Sequence, residues 1–195
     1  SPTHYTPAIL EALIPAVAMG LRIPLVYNTN GYDSIETIRL MDGIVDLYLP
    51  DMKYSSDVTA ARLSAAVGYR ETSRNAVKEM YRQVGPLRCD SDGIATKGVI
   101  VRHLVLPGGL AGSYSTLRFV ATRISTDLTM SLMSQYTPLY KVAADLVLGR
   151  KITGAEYSRV ISAAGQLGFQ DCFIQDPGSA GFGVPDFGEP TPFHW

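Results

Sequence analysis

Residues 44–54, IVDLYLPDMKY, pass from an aliphatic run into Pro50-Asp51, an order that reads as a buried strand delivering polar side chains to its C-terminal end. Side chains two apart share a strand face, so Leu47, Leu49, Asp51 and Lys53 are expected to point one way and to bring an acid and a base to one cavity. Outward from this strand (Ile44–Leu49), three further runs have the same character: Ile23–Asn28, Val99–Leu106 and Thr129–Ser134. Helix-period stretches separate them. Apolar residues recur at three and four through Ile9, Leu10, Leu13, Ile14 and Val17, then through Ala76, Val77, Met80, Tyr81 and Val84. Leu117, Val120, Ala121 and Ile124 form another such stripe, and Tyr157, Val160, Ile161, Ala164 and Leu167 a last one. Strands alternating with helices predict an α/β protein built on a parallel sheet, here an incomplete parallel (β/α) barrel.

Local signals place several boundaries. Asp33 with Glu36 and Thr153 with Glu156 both have capping-box spacing and predict helix starts. Pro15 falls inside the first stripe, where its missing N–H is expected to kink the helix. Residues 58–69 read as one short helix, and 86–98 as a polar turn or small hairpin around Asp92-Gly93. Residues 1–175 form the expected barrel domain. Residues 176–195 are rich in Gly, Pro and aromatics without a period, and read as an extended tail. The polar opening SPTHY leads straight into a helix, so the first strand of the barrel is expected to be missing.

Composition narrows the function. Seventeen Lys and Arg nearly balance eighteen Asp and Glu in 195 residues, which offers no broad basic field for nucleic acid. No apolar run approaches the roughly 18 residues that span a bilayer, and no signal-peptide layout opens the chain. Cys89 and Cys172 are too few for a disulfide framework, and a reducing, cytoplasmic setting is expected.

Functional groups of a parallel barrel collect at the C-terminal ends of its strands. The first run ends in Asn28-Thr29-Asn30-Gly31, which can serve a polar ligand or only an Asn-Gly turn. Asp51 and Lys53 are either site groups or a structural ion pair. Arg102, inside an apolar strand, requires an anion, whether a ligand carboxylate or Asp51. His103, one position on, is expected to face the helices as a packing residue. Pro107-Gly108-Gly109 lacks a dinucleotide-binding spacing and reads as a tight turn. Gln135 and Tyr136 leave the last strand as rim groups or helix caps, and His4, which lies where a preceding strand would end, is either a cofactor ligand or an exposed loop residue.

Taken in order, SPTHY, VYNTNGYDS, LYLPDMKY, VRHLVLPGGLAG and MSQYTP resemble the successive strand ends of radical S-adenosylmethionine (SAM) proteins related to the pyruvate formate-lyase activating enzyme. The resemblance covers roughly residues 1–165. It implies a radical SAM barrel lacking its N-terminal strand and cluster loop. In the family, SAM binds on a [4Fe-4S] cluster and is cleaved reductively to a 5′-deoxyadenosyl radical that abstracts hydrogen. It also implies SAM contacts from His4, Asn28, Thr29, Asn30, Asp51, Lys53, Arg102, Gln135 and Tyr136, with Lys53 and Arg102 suited to the methionyl carboxylate. A glycyl-radical enzyme and a flavodoxin- or ferredoxin-type electron donor are the implied partners. The family holds its cluster on three cysteines spaced C-x3-C-x2-C, and no such triplet occurs here, so metal ligands are expected from outside this chain. Two other functions fit the same residues: a Schiff-base aldolase or lyase with Lys53 as nucleophile, or a non-catalytic binding remnant.

Overall fold

The computed structural model describes residues 2–176 and Gly178. Five strands run parallel in chain order: β1 (Val26–Thr29), β2 (Leu47–Pro50), β4 (Ala95–Leu104), β5 (Thr129–Met133) and β6 (Cys172–Ile174). A short β3 (Arg88–Cys89) pairs antiparallel with the start of β4 and completes the hairpin expected over residues 86–98. Strand order follows chain order without reversal, which is the arrangement of a wall that winds one way and is compatible with an open stretch of barrel.

The helices are α1 (Thr6–Ala18), α2 (Ile35–Leu40), α3 (Asp57–Ser64), α4 (Tyr69–Val84), α5 (Ser113–Arg123) and α6 (Gly154–Gln166). Their core joins one face of the sheet: Tyr27, Tyr48, Val99, Val101, Met130 and Leu132 from the strands pack with Ile38, Val77, Met80, Leu117 and Val120. The register puts the alternate residues, Asn28, Leu49, Ile100, Arg102, Ser131 and Phe173, on the opposite face. That face is open. Asn28 and Phe173 are exposed and Leu49, Ile100, Arg102 and Ser131 only half-buried.

Four expectations need correction. The ladder starts at Val26 and Leu47, later than the expected Ile23 and Ile44. Pro24 has no N–H to give, while the amides of Ile44 and Val45 are already donated to the Met41 carbonyl. Helix α2 is capped by Ser34, whose hydroxyl accepts from the Thr37 amide. Asp33 is instead buried and accepts from three hydroxyls, those of Thr3, Tyr27 and Thr29. The stretch 58–69 is not one helix, because Ala65 and Gly68 take left-handed conformations (φ 51° and 68°) and separate α3 from α4.

The first apolar stripe is also less buried than its pattern predicts. Helix α1 flanks the β1 edge and buries only Thr6, leaving Ile14 and Val17 exposed. It runs through Pro15, so the Glu11 carbonyl lacks the amide donor normally found four residues on. The capping box at α6 forms as expected, with both reciprocal bonds between Thr153 and Glu156. Strand β6 was not anticipated; three residues at a sheet edge carry too little pattern. Of the tail, residues 177 and 179–195 lie outside the described residues.

Candidate functional site at the strand ends

The β2 strand leaves the sheet through Pro50 and forms one more parallel bridge, Asp51 to Arg102, so the acid of one strand and the cation of the next are adjacent on the open face. Asp51 is 7% exposed. Its Oδ2 accepts from Lys53 Nζ at 2.5 Å, and Arg102 Nη2 stands 2.7 Å from its Oδ1. That second contact is an ion pair without hydrogen-bond alignment. Asp51 Oδ1 and Arg102 Nε are both buried and have no hydrogen-bond partner among the described residues. Buried polar atoms in native proteins are normally paired, so this donor and this acceptor are the candidate contacts for a polar ligand. Two cations around one carboxylate leave the cluster with a surplus positive charge, and its unfilled donor suits a carboxylate.

Tyr69, at the start of α4, holds this rim together. Its buried hydroxyl donates its one proton between the Asn30 and Asp51 carbonyls, each 3.0 Å from the phenol oxygen, and that oxygen accepts the Lys53 amide at 2.9 Å. Burial, with the Asp51 charge adding to it, raises the Tyr69 pKa well above that of a free phenol and keeps the proton in place. Tyr32 stacks on its ring and Tyr54 meets it edge-on, each with centroids 5.7 Å apart. Gly31 permits the close approach of the two strand ends: its φ is +73°, and a Cβ there would sit 2.1 Å from the Asp51 carbonyl oxygen.

The other expected site residues divide. Asn28 lies on the open face with Leu49 opposite it in register. Thr29 points the other way, is 1% exposed and donates to Asp33 at 2.5 Å. The Asn30 amide oxygen accepts the Tyr32 N–H at 2.9 Å, making an Asx turn. Thr29 and Asn30 therefore shape the β1 end through bonds within the protein. Gln135 receives a bond from Gln175, and the Tyr136 hydroxyl donates to the Leu148 carbonyl, so neither caps a helix. His4 is exposed in a short 3-10 turn at Pro2–Tyr5, tied to the β1 end by the bond from Thr3 to Asp33.

His103 faces the helices. Its Nδ1 lies 2.6 Å from the Met52 carbonyl, which can only accept, so Nδ1 carries the proton and Nε2 accepts from the Ser113 hydroxyl at 2.8 Å. Burial holds its pKa below the ordinary histidine value. The glycine turn after β4 donates its Gly108 amide to Glu156, whose carboxyl the Arg150 guanidinium holds well below the usual carboxylate range. It serves to join β4 to α6.

No group of three or more His, Cys, Asp or Glu suited to a metal occurs among the described residues. Cys89 is exposed on β3 and Cys172 half-buried on β6, so the two thiols stand on separate strands and do not supply an iron-sulfur ligand set. Sequence reasoning located Asp51, Lys53 and Arg102 but missed Tyr69. Only its position as the first residue after Gly68 hints at a role at the strand ends.

No family model matches the chain. An uncharacterized protein of Methanocaldococcus jannaschii is 28% identical over 160 residues, which cover 82% of this chain and 43% of that protein. The chain thus spans less than half the length of this relative. No helix among the described residues is long and apolar enough to cross a membrane.

Proposed function

We propose that the open face between β1, β2 and β4 binds the amino-acid end of S-adenosylmethionine, and that the chain is the cofactor-binding wall of a radical SAM enzyme related to the pyruvate formate-lyase activating enzyme. The observation that carries this is the pair of buried atoms Arg102 Nε and Asp51 Oδ1, neither of which has a hydrogen bond among the described residues. A methionyl group presents a carboxylate and an ammonium on one carbon, which complement that donor and that acceptor. Lys53, 41% exposed in its side chain, supplies further attraction to the carboxylate, and the Asn28 amide faces the same side. The strand-end motifs and their order support the same assignment.

In such enzymes the cluster with SAM supplies one-electron chemistry. The thiolates present here do not fit a cluster, so no cleavage step belongs to these residues; their work is to bind and orient. The radical reaction would take its three cysteines from outside the 195 residues, and its partners would be a glycyl-radical enzyme and a small electron-transfer protein.

A Schiff-base role for Lys53 gains no support from its surroundings. Nucleophilic lysines are prepared by apolar pockets or by neighbouring cations, whereas Lys53 is paired with a carboxylate.

Titrating SAM into the chain and into Arg102→Met tests the proposal. Loss of a charge-assisted hydrogen bond is worth about 1.5–3 kcal/mol, so the variant should bind about tenfold to a hundredfold more weakly. Equal affinity in the two proteins would remove Arg102 from the site and the proposal with it. Binding without cleavage in a complete protein carrying upstream cysteines would favour the non-catalytic alternative.

A further inference from the structure

The near balance of charge over the chain conceals a local concentration on the outer side of the helix layer. Helix α4 presents Arg70, Arg74 and Lys78 at intervals of four, and α5 presents Ser115, Arg118, Phe119 and Thr122 at helical spacing. These stripes line a cleft of about 470 Å³ between the two helices, with Arg123 at one end and Ser55 at the other. A second hollow continues from it past Phe119 to Lys78, Asp57 and Glu71.

No side chain of the five basic residues makes a hydrogen bond or ion pair to another described residue. Arg74 and Lys78 instead rest on the Phe119 ring, at 4.3 and 5.5 Å from its centroid. One Asp57 carboxylate oxygen accepts from the Arg70 backbone amide. Burial and the neighbouring Arg70 charge push the Arg74 pKa down, while Asp57 partly offsets this. Arg82, Arg102 and Arg150, by contrast, each stand within ion-pair distance of a carboxylate. Clustered guanidinium groups that outnumber their counter-charges repel one another, and an anion in the cleft would relieve that repulsion.

We propose that the α4–α5 cleft binds a small molecule through a diphosphate group. Its size lies within the roughly 300–1,000 Å³ of ligand sites. The planar forks of Arg70, Arg74 and Arg118 suit the paired oxygens of phosphate, and Ser55 and Ser115 add hydroxyl donors. Five cations against Asp57 and Glu71 leave a net charge of +3 (five minus two), close to the charge of about −3 expected for a diphosphate ester. Phe119 is already engaged in cation–π contacts with Arg74 and Lys78, so the recognition is of the phosphates themselves. The site is independent of the strand-end cluster, although Ser55 follows Lys53 by two residues.

The test is calorimetric titration of inorganic pyrophosphate and of ADP, at fixed ionic strength, into the unmodified chain, R70Q/R118Q, R118K and R102M. Pyrophosphate should bind the unmodified chain and R102M alike, and ADP should bind them about as well. Affinity should fall about tenfold or more in R70Q/R118Q, with R118K between, because lysine keeps the charge but loses the fork. Circular dichroism checks that the variants fold, and if R70Q/R118Q does not, R118K alone decides. Absent pyrophosphate binding, or equal affinity in the unmodified chain and the folded α4–α5 variants, would overturn the proposal. Tighter binding of a hexaglutamate peptide than of pyrophosphate would overturn it in favour of an acidic protein segment.

Discussion

At the scale of single residues, the chemistry is set by which polar atoms are satisfied. His103 and Arg102 are neighbours on β4 and have opposite fates. The histidine turns into the helix layer, where the Met52 carbonyl and Ser113 hydroxyl take both ring nitrogens. The arginine turns to the open face with its Nε unpartnered. Because the native pKa of His103 lies below the unfolded value of about 6.5, its neutral form contributes stability that is fully present above that value. That contribution is lost as pH falls from there towards the depressed native value, since the unfolded chain binds a proton that the folded chain resists. Unfolding midpoints of the unmodified chain should therefore fall between about pH 7 and 5, and His103→Gln should flatten that slope. An unchanged slope in the variant would show that other groups cause it.

At the scale of elements, the strand ends are joined by a helix residue that no motif announces. Tyr69→Phe keeps the ring stack with Tyr32 but removes the hydroxyl shared by Asn30, Asp51 and Lys53. It should destabilise the chain by about 1–3 kcal/mol in denaturant unfolding, because the Lys53 amide and two carbonyls lose a partner. A change within error would mean that water replaces the hydroxyl without loss. The elements differed in how legible they were. Strands β2, β4 and β5 and helices α4 and α6 show their periods plainly, since each has a face buried by the other layer. Helix α1 has an equally clear apolar stripe, yet leaves much of it exposed beside the β1 edge. Periodicity reports amphipathic character and not the extent of a partner. The inward turn of Asp33 was hidden for a related reason: capping-box spacing is local, whereas the Thr3 and Tyr27 hydroxyls that capture the carboxylate come from elsewhere in the chain.

At the scale of the whole molecule, one sheet face is sealed by helices and the other carries its polar groups at the C-terminal strand ends. Alternation along β2 was enough to place Asp51 and Lys53 on one side, and the lone charge in β4 was enough to single out Arg102. Their contact across strands required the register, which a single sequence does not specify. The cationic cleft was likewise invisible in the overall balance of charge, because its two stripes lie on separate helices, α4 and α5.

The central claim is that the Asp51–Lys53–Arg102 cluster receives a methionyl carboxylate. Its most direct test compares SAM with decarboxylated SAM in calorimetric titrations of the unmodified chain. The two ligands share the adenosyl and sulfonium groups and differ in the carboxylate alone. Affinity for SAM at least about tenfold higher is expected from one charge-assisted contact, and equal affinity for both ligands, or none for SAM, would contradict the account.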